Sequence, residues 1–158
     1  MAGEFATVSD QGWQEATLKE LARLARGSFV DHLGLRLVAL DADMLAAELP
    51  VRTQIAGHDG RLQPGIALAI AEATGMLASH AIMGQRLHDA ACLDLSANHC
   101  GCVMVGETVR VTVQALCLGR RTHNWEVHLR AVDDRLLCVA KLRIAIKNRT
   151  DEPVRVAA

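Results

Sequence analysis

The chain has 158 residues, of which 51% are hydrophobic and 22% are charged. That length suits one domain with its own core, and the composition excludes a disordered chain. The formal net charge of -1 argues against a general binder of nucleic acid or of membrane surfaces. We therefore expect a single domain over residues 1–158 that acts on a small molecule.

The chain ends and the cysteines indicate a cytoplasmic protein. Residues 1–10 lack a basic start followed by an apolar run, so they do not resemble a signal peptide. Five cysteines are an odd number in a chain long enough to fold without disulfides, which predicts reduced thiols. We expect both ends, 1–10 and 149–158, to be loosely ordered.

The first predicted elements are a helix and a hairpin. Apolar positions recur at helical spacing over residues 12–26, with charged residues between them, which predicts an amphipathic helix. Two short strands are predicted over 33–40 and 44–51, joined by a turn at 41–43. A loop at 54–62 follows, rich in glycine and aspartate.

A long apolar helix is predicted from Pro64 to about Met83. Proline is favoured in the first helical turn, where its missing N–H costs nothing. The helix is apolar on every side, which is typical of a helix enclosed by other structure. Its central carboxylate, Glu72, costs roughly 2 to 3 kcal/mol in a membrane, so we expect a buried core helix and no membrane span.

Four strand-like runs complete the chain. Valine, leucine and isoleucine are frequent over residues 91–98, 107–118, 122–132 and 136–147. The second and third runs alternate apolar with polar residues, as half-buried antiparallel strands do. One antiparallel sheet curled around the long helix, with an extra N-terminal helix, satisfies this order and predicts an α+β fold.

Glu72 is the first candidate for chemistry. Between Arg61 and Arg86 the only other ionisable side chain is His80. Desolvation makes an unpaired carboxylate a stronger base, which is how functional carboxylates are often made. The alternative is that Glu72 faces solvent or pairs with an arginine.

The helix start offers an oxyanion site. Pro64 has no N–H, so Gly65 supplies the first free donor, and its missing side chain lets a ligand oxygen approach. The positive end of the helix dipole adds to this, and losing one oxyanion donor costs about 3 kcal/mol in other enzymes. Pro-Gly is also common at helix starts without any function.

The segment from Gln63 to Glu72 resembles the helix start of hotdog-fold thioesterases, where His-Gly-Gly is followed by Asp or Glu nine residues after the His. The resemblance covers about residues 33–147 and is closest to the phenylacetate-pathway group and, because the acid is Glu, to its hydroxybenzoyl-CoA thioesterase branch. Further strand signatures that resemble the family lie at residues 93–99, 106–109, 118–122 and 125–127.

This resemblance implies a hotdog thioesterase that hydrolyses an acyl-CoA or acyl-carrier thioester without a cofactor. It implies that Glu72 is the general base or the nucleophile, while the Gly65 N–H polarises the thioester carbonyl. It also implies a homodimer formed by sheet pairing, or a homotetramer, with each active site shared between two chains.

The chain departs from the family motif at three positions. Gln63 replaces the family His, Pro64 replaces a Gly, and Gly57 stands where many members carry Asn or Gln. His58, next to Gly57, is a candidate substitute for that side chain, with an exposed loop histidine as the alternative.

Three more residues are candidates for substrate binding. Arg120 and Arg121 lie in a predicted turn and suit the CoA phosphates, although a solvated turn explains them equally well. Cys92 corresponds to a position where some relatives have a serine near the thioester, and its alternative is plain packing.

The acyl group and the rival functions are less defined by the sequence. The small residues Ala73, Thr74, Gly75 and Ala78 suggest room for an aromatic or medium-chain acyl group. A run at 99–102 holds His and Cys but lacks a second ligand pair, so no metal is expected.

Two other functions compete with the thioesterase prediction. They are a non-catalytic acyl-CoA-binding hotdog protein and a hotdog enoyl-CoA hydratase or dehydratase.

Overall fold

The computed structural model describes residues 10–84 and 88–148. The predicted loosely ordered ends lie outside these residues, except Asp10, which begins α1. The elements in chain order are α1 Asp10–Ala25, α2 Phe29–Leu33, β1 Arg36–Leu40, β2 Met44–Pro50, a 3-10 turn Thr53–Ile55, α3 Pro64–Met83, β3 His88–His99, β4 Thr108–Leu118, β5 Thr122–Ala131 and β6 Leu136–Asn148.

The predicted hairpin is confirmed, but its first strand begins later than the sequence suggested. Residues 29–33 form the short helix α2, which ends at Gly34 in a left-handed conformation with φ of 77°. The Gly34 N–H donates to the carbonyl oxygen of Asp31, 2.9 Å away. Glycine adopts this conformation without the steric cost of a side chain, so β1 starts only at Arg36.

The six strands form one antiparallel sheet in the order β1-β2-β4-β5-β6-β3. The predicted alternation holds in β5, where every second residue from His123 to Ala131 is buried. In β4 the buried positions are Val109, Val111 and Val113. These buried side chains form the face of the sheet against which α3 packs. The helix α3 contacts strands β2 to β6.

One side of α3 is fixed against the sheet by a polar anchor and by close packing. The Trp125 indole N–H donates to the Ser79 hydroxyl oxygen at 2.8 Å, and both residues are buried. A Cβ added to Gly75 would lie 3.2 Å from Leu142 of β6. The helix is long and apolar enough to cross a membrane, but 61% of its most apolar window is buried inside this fold.

The helices α1 and α2 cover part of the other side of α3. Leu21 and Leu33 are buried in the same core cluster as the sheet residues. Leu24 and Phe29 remain about half exposed. The sheet therefore encloses one side of α3 fully, while the N-terminal helices leave an opening beside the other.

Candidate active site

A tightly hydrogen-bonded loop leads into α3. The Gly57 N–H donates to the Arg61 carbonyl oxygen at 2.8 Å, and the Gln63 N–H donates to the Ile55 carbonyl oxygen at 3.1 Å. Gly60 turns the chain with φ of 76°. Because backbone hydrogen bonds hold both ends of this loop, the backbone positions of its residues are fixed.

The first cavity, which we call the helix-start pocket, lies where this loop meets the end of β3 and has a volume of about 280 Å³. Gln63 and His58, both candidates for substrate binding, line this pocket. The polar side chains and thiols of its lining also include residues that the sequence did not single out for binding: Asp59, Arg61, His99, Cys102 and Cys138.

All three departures from the family motif line this pocket, and two of them, Gly57 and Gln63, meet there. A Cβ added to Gly57 would lie 3.2 Å from the Gln63 side-chain oxygen and 3.1 Å from a carboxylate oxygen of Asp59. The Gln63 carboxamide therefore occupies space that a side chain at position 57 would need. The loss of a side chain at Gly57 makes room for the amide that Gln63 provides.

Gly65 lies exposed in the first turn of α3. A Cβ added to it would meet nothing within 4 Å. Its N–H has no hydrogen-bond acceptor among residues 10–84 and 88–148. The donor is thus available to a ligand oxygen, as an oxyanion role requires.

Glu72 lines a second cavity, which we call the mid-helix groove, between α3 and the α1–α2 region. Its volume is about 390 Å³. Glu72 is only half-buried, so the groove gives it one open side, whereas the sequence suggested apolar surroundings all round. The other lining residues are Leu24, Ala25, Ser28, Phe29, Val30, Ala73, Met76, Leu77 and His80.

Cys92 lies close enough to Glu72 for the two groups to interact. Burial raises the pKa of the Cys92 thiol, and the negative charge of Glu72 raises it further. The thiol donates to the Asp94 carbonyl oxygen at 3.4 Å, across a bulge in β3. Cys92 is half-buried beside the carboxylate, so it is placed near the candidate chemistry as a neutral thiol.

The small residues of α3 do not all face the groove. Ala73 lines it, but Gly75 packs against β6. Thr74 is fully buried, and its hydroxyl donates to the Ile70 carbonyl oxygen at 2.8 Å. The suggestion that Thr74 and Gly75 make room for the acyl group does not hold for this groove, because neither residue lines it.

Arg120 and Arg121 are both exposed in the turn between β4 and β5. Neither lines the helix-start pocket or the mid-helix groove. The carbonyl oxygen of Arg121 accepts a hydrogen bond from the Ile146 N–H at 2.8 Å, which fixes the turn against β6.

The two cavities share no lining residue. Gly65 and Glu72 are seven residues apart on α3, which corresponds to about 10 Å along the helix axis. Within one chain, the parts of the candidate site therefore open into separate spaces.

Comparison with known proteins identifies the family. Residues 60–138 match the thioesterase superfamily. An esterase of Haemophilus influenzae is 32% identical over 138 residues, covering 86% of this chain and 98% of the relative. The chain belongs to the thioesterase superfamily. A further relative is the proofreading thioesterase EntH of Cronobacter turicensis, 32% identical over 133 residues, with 82% of this chain and 93% of the relative covered.

Solved structures of other thioesterases confirm the hotdog fold. The thioesterase of Haemophilus influenzae has a TM-score of 0.79 and 30% identity, and the match covers 85% of this chain and 93% of that chain. A Streptococcus pneumoniae thioesterase solved with coenzyme A has the same fold, with a TM-score of 0.71, 13% identity, and 83% and 97% covered. The family of this chain and its relatives together identify the protein as a thioester hydrolase.

Sequence reasoning missed two histidines that line the cavities. The sequence supports neither a metal site nor a Cys-His pair at His99, but the fold places this residue in the helix-start pocket. His80 was noted as ionisable but given no role. Its spacing of eight residues from Glu72 was a usable signal, because residues four apart share a helix side.

Proposed function

We propose that this thioesterase hydrolyses acyl-CoA thioesters at a site formed by two chains. One chain supplies the Gly65 N–H and the helix-start pocket, and a second copy supplies Glu72. Gln63 and His58 then contact the thioester or the attacking water from the helix-start pocket. The products are the free acid and the thiol of the carrier.

The observation that carries this proposal is the separation of the two cavities within one chain. A thioester carbonyl is polarised by a donor about 3 Å away, and the attacking group must lie equally close. Because Gly65, Gln63 and His58 all lie outside the groove that Glu72 lines, the helix start of a second copy is the simplest way to bring a donor to Glu72.

The edge of the sheet offers the surface for such a pairing. Strand β3 is twelve residues long and forms one edge of the sheet. Its Leu93 is 60% exposed at the bulge. Long edge strands with free backbone groups are ready to pair with another chain, and pairing of β3 with β3 continues the sheet into a homodimer.

Glu72 can promote hydrolysis by either of two mechanisms. As general base, its carboxylate takes a proton from water while the water oxygen attacks the carbonyl carbon and the C–S bond breaks. As nucleophile, its oxygen attacks first, forms an anhydride and releases the thiolate, and water then hydrolyses the anhydride. In both routes the Gly65 N–H stabilises the charge that develops on the carbonyl oxygen.

Coenzyme A is the proposed carrier. The fold relative solved with coenzyme A motivates this choice, and the exposed Arg120 and Arg121 suit its phosphates, since guanidinium groups bind phosphate oxygens in pairs. The lining of the mid-helix groove is mainly apolar, which fits an aromatic or medium-chain acyl group beside Glu72 and Cys92.

The test is thiol release from benzoyl-, phenylacetyl-, hydroxybenzoyl-, butanoyl- and octanoyl-CoA by the wild type and by Glu72→Gln. Gln has nearly the shape of Glu but lacks the basic oxygen. We expect hydrolysis by the wild type and a loss of a hundredfold or more in the variant, the scale of an acid–base group. Glu48→Gln, on β2, is the matched control and keeps full activity.

Three outcomes would contradict the proposal. Hydrolysis that survives in Glu72→Gln assigns the chemistry to another group. Binding of these acyl-CoAs by the wild type without any thiol release identifies a non-catalytic acyl-CoA-binding protein, and loss of conjugated absorbance from an enoyl-CoA identifies a hydratase.

A further inference from the structure

The mid-helix groove has polar groups two helical turns apart. Glu72, Met76 and His80 recur every fourth residue of α3 and all line the groove. This spacing keeps the three side chains on one side of the helix. The rise of the helix places His80 about 12 Å beyond Glu72 along the axis, so the two mark the ends of a channel with Met76 between them.

The hydrogen bond of His80 determines what its ring offers the groove. The His80 Nδ1 atom lies 2.8 Å from the Met76 carbonyl oxygen. A carbonyl oxygen only accepts, so Nδ1 carries the proton of this bond. In the neutral ring the other nitrogen, Nε2, is then an acceptor without a proton.

The lining of the groove includes a second acceptor. The Ser28 hydroxyl lines the groove and donates its proton to the Ala25 carbonyl oxygen. Its oxygen keeps only acceptor capacity for a ligand. The remaining lining is apolar, apart from Glu72, and includes Leu24, Phe29, Val30 and Leu77. A ligand group that donates a hydrogen bond therefore complements the groove, and His80 offers such an acceptor at the end away from Glu72.

We propose that His80 is a specificity-determining residue that accepts a hydrogen bond from a hydroxyl at the far end of the acyl group. The inference rests on the proposed function, because the thioester carbonyl carbon must lie next to Glu72 for the acyl group to run toward His80. With contacts of about 3 Å at each end, the acyl group spans about 6 to 12 Å between its carbonyl and its hydroxyl. A medium-length chain that ends in a hydroxyl fits.

Met76 suits the middle of such a channel. Its side chain is unbranched and flexible, so it adapts to the shape of an alkyl chain that lies over it. It also accepts no strong hydrogen bond that would compete with His80 for the hydroxyl. Recognition of the terminal hydroxyl is thus assigned to the His80 end of the groove.

The test compares ω-hydroxyoctanoyl with octanoyl, first by binding and then by hydrolysis. Binding uses ketone analogues in which a methylene separates the sulfur from the carbonyl, so that no thioester is cleaved. We expect the wild type to bind the hydroxylated analogue about tenfold more tightly, the scale of one net hydrogen bond. His80→Phe should remove this preference, while His80→Gln, which keeps an acceptor, should retain part of it.

The control is His128→Phe on β5, whose ring pairs with Glu126 away from the groove. It should keep the wild-type preference. Equal affinities in the wild type, failure of both analogues to bind, or a preference that persists in His80→Phe would overturn the inference, provided circular dichroism shows each variant folded.

Hydrolysis of the matching acyl-CoAs separates this inference from the proposed function. Cleavage that depends on Glu72 but shows no hydroxyl preference leaves the function intact and overturns the role of His80. A hydroxyl preference in binding without any cleavage supports the role of His80 and overturns the hydrolytic function.

Discussion

The helix-start pocket and the mid-helix groove lie along the same helix but are built differently. The pocket is formed by a loop whose backbone is held by hydrogen bonds, and it presents polar side chains such as His58, Gln63 and His99. The groove is formed by side chains of three helices and is mostly apolar around Glu72. The difference suggests a division in which the pocket positions the thioester and the groove holds the acyl group.

The largest expected effect comes from mixing two inactive variants. Glu72→Gln removes the groove carboxylate, and Gly65→Val blocks the helix start, where added atoms meet open space and the fold tolerates them. If each site takes one part from each chain, a heterodimer contains one intact site. Refolding an equal mixture should restore roughly a quarter of wild-type activity in thiol release, since half of the dimers are mixed in a symmetric pair.

A mixture as inactive as its separate components would show that each chain holds a complete site. A mixture of Glu72→Gln with Glu72→Ala is the control, because neither chain supplies the carboxylate. The helix-start pocket and the mid-helix groove of the same chain would then serve one active site, and no second copy would be needed.

A smaller effect is expected from Gly57→Ala, which changes the pocket and leaves the groove alone. The added methyl group would press on the Gln63 amide and the Asp59 carboxylate, whose side chains can move by a few tenths of an ångström. We expect kcat/KM to fall several-fold, on the order of threefold to tenfold, because small misplacements of positioning groups are felt in the transition state. Steady-state thiol release measures it.

Gly12→Ala is the matched control, since a Cβ there meets nothing within 4 Å. Thermal unfolding should show both variants close to the wild type, within about 0.5 kcal/mol. An unchanged kcat/KM in Gly57→Ala would mean that the Gln63 amide has no part in catalysis.

The smallest effect concerns the groove and the thiol beside Glu72. Burial and the Glu72 carboxylate both raise the pKa of the Cys92 thiol. Glu72→Gln removes the negative charge, so the thiolate becomes easier to form, the pKa falls and alkylation becomes faster. We expect the rate at pH 8 to rise about twofold or more, because only the thiolate reacts.

Alkylation by iodoacetamide, followed at each cysteine by peptide mass spectrometry, measures this rate. The exposed Cys117 on β4 is the internal control and should not change. An equal Cys92 alkylation rate in the two proteins would show that the Glu72 charge does not affect the Cys92 thiol. It would contradict the placement of this thiol beside the carboxylate.

Sequence reasoning predicted most of the fold because much of it is encoded locally. Pro64 fixes the start of α3, and the alternation in β5 follows from a strand with one buried face. It missed α2, because a five-residue helix is too short to show a periodic pattern. It also placed β1 too early, because Gly34 ends α2 in a left-handed turn and the chain becomes extended only at Arg36.

For the candidate site, the sequence by itself determined the identities of Glu72 and Gly65 and their spacing along one helix. Only the tertiary structure decided which side of that helix faces the sheet, because a helix that is apolar all round carries no directional pattern. That choice put Gly75 against β6 and left Glu72 and His80 in the groove. Packing against the sheet, anchored at Trp125 and Ser79, thus sets the orientation from which the chemistry of this thioesterase follows.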